Sequence, residues 1–157
     1  MQSLSGPKAG QNVVFAAIYS GASAAGVVAL MILVIDSLRG MPLATPSILS
    51  SALFLGEVPA DPAQVRVDLV AIYSLVHAAA FLGLGALSTL AYARFEAIAR
   101  QPIAFAGLIA ATLSGVAVAL DPLVLSGALE SIGSLTIFSA NAVAACWSIS
   151  ASPRGVL

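Results

Sequence analysis

The chain has 157 residues, 60% of them hydrophobic and only 8% charged, with a formal net charge of −1 and a mean hydropathy of +1.04. Soluble domains carry about 25% charged residues, so this composition excludes an ordinary soluble fold, and the lack of basic excess excludes nucleic-acid partners and polybasic adhesion to anionic headgroups. The single cysteine, Cys146, excludes an intrachain disulfide and a thiolate metal site, and reads as a small buried apolar residue.

In chain order, four apolar runs cover about residues 13–35, 69–92, 103–120 and 124–149. Each approaches or exceeds the ~20 residues that cross a ~30 Å hydrocarbon core. The expected fold is all-α: a single membrane domain of four transmembrane helices. The first run exceeds a secretory h-region of about 7–15 residues and ends in Asp36-Ser37-Leu38-Arg39 without a small-residue cleavage site, so it reads as a retained helix.

The connection from Asp36 to Asp68 contains a short helix over about 46–55, with Thr45 as cap, Pro46 as first residue and Gly56 as stop. At about ten residues it cannot span. Ile48, Leu49, Ala52 and Leu53 share one face opposite the serines, which predicts an interfacial helix, with a re-entrant packing as the other reading. Asp61-Pro62, Gln101-Pro102 and Asp121-Pro122 are N-cap-plus-proline signals. They predict starts for helices two, three and four, with only a tight turn between the last two. Lys8, Arg94, Arg100 and Arg154 fall on one side and Arg39 and Arg66 on the other, which orients both termini to the cytoplasm.

Small residues recur every four positions in helix one (Ala17, Gly21, Ala25, Ala29) and helix three (Gly107, Ala111, Gly115, Ala119). Membrane helices gain mainly from close backbone approach through such stripes, so both predict helix packing, within the chain or against a partner. The ionisable residues in or near the runs are His77, Glu130 and Asp36. Glu130, Ser134, Asn141 and Ser148 form one polar stripe on helix four, and Tyr73, His77 and Ser88 share a face of helix two. Counted from the run starts, His77 lies about 12 Å deep and Glu130 about 9 Å deep. That predicts a His77–Glu130 contact capped by Asp36, serving either as a polar clasp that fixes helix register or as a proton-responsive or ligand-binding site. Axial ligation of a haem or chlorin by His77 is the remaining cofactor reading. No G-x-S-x-G elbow, HExxH spacing or phosphate loop occurs outside the apolar helices, so no enzyme, metal or further cofactor is expected.

The segment Gly40-Met41-Pro42-Leu43-Ala44-Thr45-Pro46-Ser47-Ile48-Leu49 and the stretch Tyr73-Ser74-Leu75-Val76-His77-Ala78-Ala79-Ala80-Phe81 resemble those of small, uncharacterised bacterial membrane proteins. These carry a G-x-P-x-x-T-P segment and a Tyr-x-x-x-His-x-x-x-Phe pattern, and the similarity covers about residues 25–85. It implies a four-helix bacterial inner-membrane protein in which Thr45, Pro46, Tyr73 and His77 are the positions to test. The expected function is a non-catalytic packing or accessory subunit of a larger membrane complex, associating with other subunits or with itself. The alternative is a small transporter, channel component or proton-linked sensor using His77 and Glu130.

Overall fold

The computed structural model of the chain describes residues 8–61, 63–95, 101–122 and 128–150. Pro62, Arg100, Ser126 and Arg154, and the side chains of Tyr92, Ser134 and Ser148, lie outside that description. Among the described residues the structure is entirely helical: α1 (Lys8–Leu38), α2 (Ala44–Leu55), α3 (Val67–Arg94), α4 (Pro102–Leu120), α5 (Ala128–Ile132) and α6 (Ser134–Ser150). Three of these, over Val13–Leu38, Val67–Ala91 and Pro102–Ala119, are long and apolar enough to cross a membrane. The chain is therefore read as a helical membrane protein.

The four long helices run alternately up and down. Ala25 of α1 lies beside His77 of α3, Gly21 beside Phe81 and Leu82, and Ala17 beside Gly85, so the two helices are antiparallel. Val28 packs with Ala140 and Ala144 of α6, while Ala106 and Ile109 of α4 pack with Ala145. In space, α1 sits between α3 and α6, and α4 lies on the far side of α6. At the α1–α3 crossing the two backbones meet closely. A Cβ added at Gly21 would lie 2.5 Å from the Phe81 carbonyl oxygen, and one at Gly85 would lie 2.6 Å from the Gly21 nitrogen. Only glycine lets the backbones meet this closely.

Helix four departs from the continuous span expected over 124–149. Asp121 follows α4 in right-handed helical geometry, its N–H donating to the Ala117 carbonyl, so the described backbone is already helical where Asp121-Pro122 was expected to open a new helix, and the start of the expected run at 124 lies outside the described residues. The next described element, α5, closes after Ile132 at Gly133, whose φ is +91°. Left-handed backbone is costly for residues bearing a Cβ, and the helix resumes as α6 only from Ser134. The 17 residues of α6 extend roughly 25 Å, slightly short of the hydrocarbon thickness. Similarly, α3 opens at Val67, and the Asp61 carboxylate instead accepts from the Ala63 N–H at 2.9 Å.

The short helix expected over about 46–55 forms as α2, and it packs on the bundle with its serine face covered as well as its apolar one. Ser47, Ser50 and Ser51 are buried together with Ile48 and Ala52. The cause is packing on both sides: α3 contacts α2, and Ala128 and Ile132 of α5 close with Ile48 and Ala52 into one apolar cluster. The two short helices thus form a layer over one end of the bundle. Cys146, expected to be buried, is exposed on α6.

Candidate functional site: a polar end layer and a separate histidine

At the end of α1, the Asp36 carboxylate is 2% exposed. It accepts from the Thr45 backbone N–H through Oδ2 and from the Thr45 hydroxyl through Oδ1, each at 2.7 Å. A helix's first N–H groups have no intrahelical acceptor, and an anion at that end is favoured by the aligned peptide dipoles. Asp36 therefore caps α2 from the preceding helix. Leu43, the residue before α2, sits in left-handed backbone (φ 68°) and offers no side-chain cap. The other end of the connection is tied down as well, since the Arg66 N–H donates to Ser47 Oγ at 3.0 Å.

Arg39 lies three residues beyond Asp36 and does not pair with it. Its Nη1 donates to the Ile132 carbonyl and its Nη2 to Thr136 Oγ1, both at 3.3 Å. One guanidinium thus bridges the interruption between α5 and α6. Among the described residues the ion pair that forms is the exposed Arg66–Asp68 fork, with Nη2 to Oδ2 at 2.7 Å and Nε to Oδ1 at 3.0 Å. Hydrogen bonding to Asp68 raises the Arg66 pKa above its ordinary value, so Arg66 is charged at any working pH.

His77 stands elsewhere. Its Nε2 lies 3.4 Å from the Ala25 carbonyl oxygen, a long contact at the margin of hydrogen bonding. Its ring lies 4.6 Å from Phe81 and 6.1 Å from Tyr73 between centroids.

The structure does not bring His77 and Glu130 together. Glu130 is exposed on α5, beside α2 and beyond the level of Ser134. His77 is level with Ala25, in the middle of α1. The two are separated by roughly 20 Å along the bundle at 1.5 Å per helical residue, and no hydrogen bond or ion pair joins them among the described residues. The expected depths assumed a helix unbroken from Val124, and the interruption at Gly133 moves Glu130 out to the end layer. Asp36 engages Thr45 rather than capping such a pair. Asn141 is also polar within the bundle, its Nδ2 donating to Ser114 Oγ at 3.1 Å and joining α6 to α4. Ser88 on α3 is buried with its hydroxyl unpartnered.

The small-residue stripes have different fates. Gly21 and Ala25 are buried between α1 and α3. Gly107, Ala111 and Gly115 of α4 are exposed, and a Cβ added at either glycine would meet nothing within 4 Å. Beside this stripe runs an open cavity of about 560 Å³, lined by Ala111, Ser114, Gly115, Ala119 and Phe138 among others. No three His, Cys, Asp or Glu side chains gather as a metal site among the described residues.

Arg39, Ser47, Ser114 and Thr136 were not singled out from sequence. Arg39 had a signal, being an arginine one turn past a buried aspartate at the end of an apolar run. The hydroxyls had none. Comparison of the chain with protein-family models, curated proteins and solved structures gives no match.

Proposed function

We propose that this protein is a non-catalytic subunit of a bacterial inner-membrane assembly that packs against another transmembrane helix through α4. The observation that carries this reading is a contrast within the chain. Two glycines at the α1–α3 crossing are filled by backbone from the opposite helix, whereas Gly107 and Gly115 of α4 face open space. Lipid tails gain little from such a stripe, while a helix approaching closely gains dispersion contacts along its length. In this reading α6 is the fourth crossing. The end bearing Arg39, Arg66 and the α2–α5 layer faces outward, and the end bearing Lys8 and Arg94 faces the cytoplasm.

The test is purification in mild detergent, with mass spectrometry of what accompanies the tagged protein. The expected result is a stoichiometric partner, or a second copy, that Gly115→Leu releases. A solitary chain unaffected by Gly115→Leu would refute the proposal.

One observation favours a second reading, a small transporter or channel component. Interrupted helices are a recurrent feature of transport sites, and the α5–α6 break is faced by Arg39. In proteoliposomes, solute or proton flux abolished by Arg39→Gln or Glu130→Gln would support it. Flux that persists in both variants, or none in the unchanged protein, would set it aside.

A further inference from the structure

We propose that Tyr73, His77 and Phe81 of α3 form a binding strip for the ring of a lipid-soluble quinol, a hydroquinone carried in the bilayer by an alkyl tail. The inference does not rest on association through α4. The three side chains recur every four residues, which sets them along one strip of the helix. Their rings stand in series, 6.1 Å from Tyr73 to His77 and 4.6 Å from His77 to Phe81. All three are half-buried. Phe81 leans on the cluster of Val28, Ala140 and Ala144, so one end of the strip is anchored in the bundle. Ile72, Leu75 and Val76 beside it are exposed, so the strip opens sideways to the surroundings of the helix.

The polar atoms define what the ligand must carry. A neutral imidazole presents one N–H donor and one bare acceptor nitrogen. The polar contact of His77 is the long approach of Nε2 to the Ala25 carbonyl. A carbonyl only accepts, so this contact takes the N–H and leaves the bare nitrogen free. That nitrogen and the Tyr73 hydroxyl meet no partner among the described residues. Neither is sealed in, because the enclosed side-chain atom left unmet among those residues is Ser88 Oγ. His77 lies ten residues, about 15 Å, from the Val67 end of a 25-residue apolar span. At that depth no water is at hand, and an ionisable side chain without a partner is costly. An acyl chain offers no hydrogen bond. A quinol reaches this depth through the bilayer and lays a flat ring along the aromatic series. Its hydroxyls donate to the imidazole nitrogen and exchange hydrogen bonds with Tyr73.

His77 is the only histidine of the chain, so a single imidazole reports on the strip. The test is nitrogen NMR of the full chain, isotope-labelled at the histidine ring and held in phosphatidylcholine nanodiscs, with decyl-benzoquinol kept reduced as the probe. The expected result is a signal of the bare nitrogen that moves as quinol is added and then saturates. The dimethyl ether of the same quinol keeps the ring and loses both donors, and should leave the signal in place. Phe81→Leu should weaken binding about threefold to tenfold, the scale of one aromatic contact. Should that variant not fold, Tyr73→Leu replaces it, since Tyr73 belongs to none of the buried clusters. No movement, movement that never saturates, or equal movement with the dimethyl ether overturns the proposal. Binding indifferent to both substitutions overturns it as well, because the ring then lies elsewhere. So does an imidazole with both nitrogens hydrogen-bonded before quinol is added, because a protein group then fills the strip.

Discussion

Asp36 decides how the first two helices join. A buried carboxylate without partners is costly, and here both oxygens are answered by one residue nine positions on. Thr45→Val keeps the shape and the N–H but removes the hydroxyl from a charged acceptor. We expect a loss of about 1–3 kcal/mol, measured by reversible unfolding in mixed micelles, with Thr45→Ser close to the unchanged protein. His77→Ala should cost less, about 0.6–1 kcal/mol, in keeping with a single polar contact between membrane helices. The same titration checks both. His77 and Asp36 were legible in the sequence because ionisable groups stand out in apolar runs. Their partners were not: a backbone carbonyl such as that of Ala25 carries no residue signature, and Thr45 looked like a cap in its own right.

At the scale of the elements, identical stripes of small residues occupy different surroundings. Gly85→Val drives a side chain into the α1 backbone, and we expect it to destabilise the bundle by at least about 1–3 kcal/mol. Gly115→Val meets open space and should leave stability within about 0.5 kcal/mol. A denaturant series on the two variants reads the difference directly. The sequence shows that both stripes exist but not which one the chain itself fills, because spacing defines a face and not its neighbour. The fourth run shows a related limit. Apart from Glu130 and Asn141 its residues stay apolar, small or hydroxyl-bearing from Val124 through Ile149, so hydropathy alone does not mark the interruption. The one local cue was Gly133, and isolated glycines inside helical patterns are common enough to pass as packing residues. The serines of α2 show a further limit, since their polarity suggested water whereas Ser47, Ser50 and Ser51 are buried within the chain.

For the whole molecule, long apolar runs made the helical membrane architecture legible, because crossing a bilayer demands runs of that length. The end layer was not, since it depends on two short helices meeting from distant parts of the chain. Among the described residues, the bundle leaves the stripe of α4 through Gly107, Ala111 and Gly115 uncovered. The most direct test of association through that face is a disulfide scan in native membranes. Single cysteines are placed from Ile103 to Ala119 in a Cys146→Ala background and oxidised under mild conditions. If α4 pairs with another copy, crosslinking peaks at 107, 111 and 115 and falls at the intervening exposed positions 108, 112 and 116. If it meets a different subunit, the same periodicity appears with a photo-crosslinker at those positions, as one adduct of fixed mass. Crosslinking that is absent with both reagents, or flat along the helix, would contradict the account.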